Sequence, residues 1–378
     1  MENRLIEVKA LHDAFKVLDL VPSKAGIPSS DFIQLDLRHP GVVVFRLNAD
    51  MLGMATAKAS GDWQPKKLFY VDRRLLSPFV SSLPENEFKD DNRKKSDLFC
   101  IYEDEKKLCM TWRNRKLELT QSLEQKGYGD FTKLETLKKL PMDKMLSAAL
   151  AAAATCATND PSVPHLNCVY LHDGRVYATD NIALFTAKHN GLKGLHIPFP
   201  ASIVSTLASD LATAVYYGKD RVVVACKNGR LEQTVQIKAK EEFPFDSANK
   251  QLEWAKRFKH VFTFKPKEFG EVANRLGTYL SGVRREEWVL QMRGVEKSAV
   301  VKFICKIEHG QFLEVLKSAG MLESAAILEW PLDRLLLAFQ YFGKLDTDLT
   351  VRVELPGNRM YTIESGDHQL LVAVKAKK

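Results

Sequence analysis

At 378 residues the chain exceeds one ordinary hydrophobic core, which makes two or three domains the expectation. Its 45% hydrophobic and 27% charged residues are those of a soluble globular protein, and no apolar run reaches the 18 or so residues of a membrane span. The formal charge of +8, from 55 Lys+Arg against 47 Asp+Glu, points to a polyanionic partner. Nucleic acid is favoured over membrane, because no lysine-rich amphipathic helix or lipidation motif accompanies the charge. The first residues, "MENRLIEVKALHDAF", are charged throughout and lack the apolar core of a signal peptide. The 6 cysteines are widely spaced without a CxxC pair, so reduced thiols and a cytoplasmic location are expected.

In chain order, "RLIEVKALHDAFKVLDLV" predicts an opening amphipathic helix, followed by strands in "FIQLDLRHPGVVVFRLNA" that turn at His39-Pro40-Gly41. A strand "KKLFYV" then runs into Asp72, a helix cap, and the periodic stretch "RRLLSPFVSSL". Further strands in "SDLFCIYEDEKKLCMTWRNRKLELTQ" turn at Glu103-Asp104-Glu105, and a charged linker is expected near Gln121–Thr136. The middle of the chain begins "KLPMDKMLSAALAAAATCA" and continues "VYLHDGRVYATDNIALFTAK", where Asp173-Gly174 is a strong two-residue hairpin signal. There the polar trio Thr179-Asp180-Asn181 interrupts the return strand before Ile182-Ala183-Leu184-Phe185 resumes, and a plain hairpin does not account for it. "GLHIPF" then meets Pro200 and "ASIVSTLASDL", and "AVYYGKDRVVVACKNGRLEQTVQIKAK" turns at Asn228-Gly229. A second charged linker is expected near Gln251–His260. The last part repeats the plan: "VFTFKPKEFGEVANRLGTYL", then "AAILEW", Pro331 and "LDRLLLAFQYF".

The same two phrases therefore occur three times, with Asp72, Pro200 and Pro331 about 130 residues apart. That period is too long for a solenoid and describes a domain used three times, at 1–125, 126–255 and 256–378. Each unit reads as an α+β domain of two helices packed on two antiparallel sheets.

This plan resembles the bacterial-type DNA polymerase sliding clamps (DNA polymerase III beta subunit) over essentially the whole length. "VYATDNIALF" resembles the family's ATDG-H-R-L-A segment, "EEFPFD" its F-P-D-Y segment, and "TIESGDHQLLVAVKAKK" its C-terminal strand and tail. Asn181-Ile182-Ala183 stand where the family has Gly-His-Arg, the tail ends Val-Lys-Ala-Lys-Lys, and the balance is basic where the family's is acidic. Those departures suit a divergent member such as a virus or mobile element carries, working in a host cytoplasm or nucleoid.

The resemblance implies a closed ring of two head-to-tail chains around duplex DNA, serving a replicative polymerase and a clamp loader. It implies an apolar groove for partner peptides at Leu166, Thr179, Ala183, Leu184, Pro244, Val372 and Val374, with Arg334 near its mouth. The helices would face DNA without reading its sequence. On them, Lys9, His12 and Lys16 share a face, Arg73 and Arg74 open the second helix, Lys144 starts the third, and Lys267 and Arg275 lie on a later one. Lys24 and His165 occupy loops that contact DNA in the family.

An enzyme is not expected. No P-loop, dinucleotide fingerprint, HExxH or GxSxG occurs, and no cofactor or metal is implied. His172-Asp173 suggests a metal-binding pair but precedes Gly174, where a turn aspartate is the plainer explanation. His12-Asp13 has no second ligand pair nearby, and Glu85, Glu87, Asp90 and Asp91 form a solvated acidic loop. The alternative reading is a DNA-binding scaffold that reuses the fold without forming a ring.

Overall fold

The computed structural model describes residues 3–21, 31–49, 51–61, 68–84, 98–104, 107–120, 131–158, 160, 162–208, 211–234, 243–281, 289–294, 300–307, 310–318, 326–354 and 360–373. Its elements follow one order three times. The first pass is β1 (Asn3–Glu7), α1 (Val8–Leu18), β2 (Phe32–Asp36), β3 (Val42–Asn48), β4 (Leu52–Ser60), β5 (Leu68–Asp72), α2 (Arg73–Ser81), β6 (Leu98–Asp104), β7 (Lys107–Trp112) and β8 (Arg115–Thr120). The second is β9 (Lys138–Leu140), α3 (Lys144–Thr155), β10 (Cys168–His172), β11 (Arg175–Thr179), β12 (Ala183–Lys188), β13 (His196–Pro200), α4 (Ala201–Ser205), β14 (Ala212–Tyr217), β15 (Arg221–Cys226) and β16 (Gly229–Thr234). After α5 (Phe245–Ala255) comes the third: β17 (Lys259–Phe264), α6 (Pro266–Tyr279), β18 (Val289–Gly294), β19 (Val300–Ile307), β20 (Gly310–Lys317), β21 (Ala326–Pro331), α7 (Leu332–Phe342), β22 (Leu349–Val353), β23 (Met360–Ser365) and β24 (His368–Ala373).

Asp72 caps its helix as the sequence proposes, and Asp143 caps α3 in the same way. Asp72 accepts a hydrogen bond from Arg74 N at 2.8 Å, and Asp143 one from Leu146 N at 2.7 Å. That backbone bond holds the Asp143 carboxyl below its ordinary range. Pro266 opens α6 where a missing N–H costs nothing. α4 is shorter than "ASIVSTLASDL" suggests, giving way to a single tight turn at Thr206–Ala208.

The chain divides into two compact units: Met1–Leu140 with Ser209–Thr234, and Pro141–Ala208 with Val235–Lys378. The division cuts the middle pass of elements, and strand pairing supplies the reason. In the first unit β4 pairs antiparallel with β16, joining β16-β15-β14-β9 to the strands of the first pass. In the second, β12 pairs antiparallel with β24 in the sheet β13-β10-β11-β12-β24-β23-β22-β17, beside a separate sheet β20-β19-β18-β21. In the first unit α1 packs beside α2 and across β4, and in the second α7 packs against both α3 and α6.

Two sequence expectations change. Asp173 (φ 43°) and Gly174 (φ 80°) do form the two-residue turn between β10 and β11, with positive φ at both positions. At Asn228-Gly229, however, Cys226 pairs with Gly229, so the turn is Lys227-Asn228 and Gly229 is already in the strand. A Cβ there would collide with Met54 O, so this glycine serves the close approach of β16 to β4. The linker expected near Gln251–His260 is half occupied by α5, whose inward Phe245, Ala248, Leu252 and Ala255 recur at helical spacing. Most of the linker expected at Gln121–Thr136 and the acidic loop at Glu85, Glu87, Asp90 and Asp91 lie outside the described residues.

Candidate functional site

The polar break between β11 and β12 is a built turn. Asp180 Oδ1 accepts from Ile182 N at 2.8 Å and from Ala183 N at 2.7 Å. Thr179 Oγ1 donates to Ala183 O at 2.8 Å and accepts from Asn181 N at 3.1 Å. Asn181 takes φ 68°, the left-handed region, where asparagine is among the best-tolerated residues after glycine. This accounts physically for Asn181 standing where the resemblance has glycine. Asp180→Ala should lower stability by about 1–3 kcal/mol by stranding two backbone donors. Asn181→Gly should be near neutral, while Asn181→Val should cost about 1–2 kcal/mol in denaturant titrations.

Register then sorts the groove residues. Thr179 pairs with Leu184 and Leu184 with Leu371, so these side chains share one face of the sheet. Ala183 pairs with Val372, and alternation turns both to the opposite face, the one Phe185 uses to pack on Tyr341 and Phe342. Leu184 is 4% exposed, in a cluster with Cys168, Tyr170, Tyr177, Phe243, Leu252, Phe258 and Leu371. α5 therefore covers the Leu184 face. Burial there pushes the Cys168 thiol up to about 12, so it stays an unreactive core group.

Of the groove residues that the resemblance implies, Leu166, Thr179, Ala183, Leu184 and Val372 are buried, with Thr179 and Leu184 on one face of the sheet and Ala183 and Val372 on the other. Pro244, just before α5, is exposed, as is Asn181, and Ile182 is half-buried with its carbonyl accepting from Ala373 N at 2.7 Å. Solvent meets this region at the turn and the start of α5. The Arg334 side chain and Val374 lie outside the described residues.

Lys9 and Lys16 on α1, Lys144 on α3 and Lys267 on α6 are exposed, as are the Arg74 and Arg275 side chains, at 72% and 52%. Arg73 instead donates to Val21 O at 3.0 Å and lies 3.7 Å from Asp19, with its side chain 15% exposed. Arg74 forms a two-point pair with Asp72, and Arg275 is held by Glu314 and, at 3.8 Å, by Glu271. His12 is a correction. It is buried, with Nε2 3.0 Å from Leu83 O, because α1 turns its 8, 11, 12 and 15 positions inward and leaves Lys9 and Lys16 outside. His165 is half-buried, and Lys24 lies outside the described residues.

Sequence reading missed α5 as a cover and missed the aromatic group that the buried Tyr170, Tyr177 and Phe243 form with the half-buried Phe245 of α5. The signal was present in the aromatic pair of "EEFPFD" followed by apolar residues at helical spacing.

No family model matches the chain, and no curated protein sequence does. Solved structures do. The DNA polymerase III beta subunit of Thermotoga maritima is similar at 13% identity and a TM-score of 0.66, covering 100% of both chains. The DNA polymerase sliding clamp of Bacillus subtilis is similar at 13% identity and 0.65, again over 100% of both chains. That of Caulobacter crescentus is similar at 14% and 0.63 with the same coverage. At such identities the likeness speaks for architecture: end to end, this chain is built on the fold of the bacterial DNA polymerase sliding clamps.

Proposed function

We propose that the chain is a sliding-clamp subunit, a processivity factor that encircles duplex DNA and tethers a replicative polymerase, loaded by a partner complex. It acts as a tether and catalyses nothing. Three clamp domains at 1–125, 126–255 and 256–378 are the reading supported by the threefold element order.

One observation carries the ring. The fourth strand of the first pass, β4, pairs with the last strand of the second, β16, and likewise β12, fourth of the second, pairs with β24, last of the third. The remaining strands in those two positions are β20 and β8, each an end strand whose described partners are β19 and β7 alone. Two chains head to tail would pair β20 of one with β8 of the other, closing both joints by one rule. β20 also exposes Leu313 (55%) and Val315 (53%), an apolar edge of the kind that proteins usually cover.

DNA contact falls to the exposed lysines. Replacing Lys9, Lys16, Lys144 and Lys267 by alanine should weaken retention on circular duplex equally for any sequence. The slope of log K against log salt should fall by about 0.9 for each phosphate that is no longer neutralised. Arg275→Ala alone should change little, because Glu271 and Glu314 already offset its charge. An Arg275→Ala loss as large as the fourfold variant's would overturn this lining.

The second reading, a DNA-binding scaffold without a ring, is favoured by the engagement of Arg73, Arg74 and Arg275 within the protein. Retention separates the two: a ring stays on circular DNA and runs off linear DNA. No described helix is long and apolar enough to cross a membrane. Such a tether belongs with replicating DNA in a cytoplasm, that of a host if the chain is viral.

A further inference from the structure

His172 and His196 stand directly opposite each other on β10 and β13, at the end of the aromatic group beside α5. Their Nδ1 atoms are 2.7 Å apart, and the rings meet at 81°. Phe245, the first residue of α5, stacks on His172 with centroids 4.0 Å apart and planes 22° apart, and its ring lies 5.8 Å from His196. His172 is half-buried and His196 exposed, so one side of the pair is fixed by packing and the other meets solvent. β13 is the end strand of its sheet. None of these features is used by the clamp reading.

A contact this short between neutral imidazoles requires one Nδ1 to donate and the other to accept, so the two nitrogens face each other. A borderline cation can take the place of that proton. The donating ring moves its proton to its own Nε2, and both Nδ1 lone pairs become ligands with no net proton released from a neutral pair. With metal–nitrogen bonds of about 2.0–2.1 Å and the roughly 90° angle between cis ligands of a tetragonal site, the nitrogens stand about 2.9 Å apart, so they separate by a few tenths of an ångström while the rings turn toward the metal. Solvent beside His196 supplies water for the remaining positions.

We propose that His172 and His196 form a two-imidazole site for a borderline divalent transition-metal cation, with Phe245 as the residue that positions both rings. Among the described residues no group of three or more His, Cys, Asp or Glu side chains could hold a metal, so this is an exchangeable two-ligand site. Copper(II), at the top of the divalent affinity order, is the probe of choice. Occupied, the site links the end strand β13 to β10 beside the start of α5.

The test is calorimetric titration of the purified chain with Cu2+ in a non-coordinating buffer, with electron paramagnetic resonance of the complex. The expected result is one micromolar site whose spectrum shows two imidazole nitrogens. His172→Ala and His196→Gln should each weaken binding at least about tenfold, while His189→Ala and His39→Ala should not. Phe245→Leu should weaken binding while keeping two nitrogens in the spectrum, which separates positioning from ligation. Wild-type affinity in both His172→Ala and His196→Gln, or a single-nitrogen spectrum in the unchanged chain, would overturn the proposal. Because His196 is exposed, its variant should melt as the unchanged chain does without metal, so a lost site cannot be ascribed to unfolding.

Discussion

Replacing Leu313 and Val315 together with lysine should leave a folded monomer of 42.7 kDa where the unchanged chain runs at twice that mass in light scattering. Both side chains are more than half exposed on β20, at 55% and 53%, so the substitutions remove little from the protomer's own core. In the proposed joint they lie beside β8, where Lys116 already pairs with Glu118, so the effect comes from lost apolar burial and the desolvation of two ammonium groups. Together these should weaken association at least about 100-fold, roughly 2.7 kcal/mol. Leu75→Lys is the control, since Leu75 is as exposed (53%) but lies on α2. A double variant that stays dimeric would place the joint elsewhere. A monomeric unchanged chain at micromolar concentration would remove the ring altogether and leave the scaffold reading.

Leu184→Lys should cost much of the protein's stability rather than cleanly remove a binding surface. The resemblance to sliding clamps implies a groove at Leu184, and on that reading the variant would lose its partner and keep its fold. In the structure Leu184 is 4% exposed, with Leu252, Phe243 and Phe258 against the same face. Removing a buried leucine costs about 2–5 kcal/mol, and an ammonium in its place adds a desolvation penalty, so a loss of about 3–5 kcal/mol or more is expected in urea titrations. Ile182→Glu is the cleaner probe, because Ile182 is half-buried at the turn and its hydrogen bonds to the fold, through its amide and its carbonyl, are made by the backbone. It should abolish binding of an apolar-anchored partner peptide while leaving the denaturation midpoint nearly unchanged. Near-native stability for Leu184→Lys with binding lost would instead restore Leu184 to an open groove.

Much of the architecture is legible in the residues because its signals are local. Asp72 and Asp143 mark helix starts through bonds made within one turn, Pro266 through its fixed φ and missing N–H, and Asp173-Gly174 marks a hairpin through its own dihedral angles. The threefold plan is visible because each pass repeats those local marks in one order. Even the Thr179-Asp180-Asn181 break is local chemistry, a carboxylate capping the two amides that follow it.

Faces and partners are another matter, because they depend on atoms far away in sequence. Lys9, His12 and Lys16 fall within the spacing of one helix face, yet Leu83, 71 positions further on, accepts His12 into the interior. Arg275 is as cationic in sequence as Lys267, but Glu314 across 39 positions offsets it. Leu184 and Ala183 are neighbours in one motif, and strand alternation sends them to opposite sides, one of which α5 then covers. Helix caps, turns and the repeated order of elements were determined by the sequence itself, since the groups that satisfy them lie within a few residues. Which cations stay exposed, which apolar residues remain open and which strands are left to pair were decided by the tertiary structure, because burial and charge compensation are set by whatever the chain folds against.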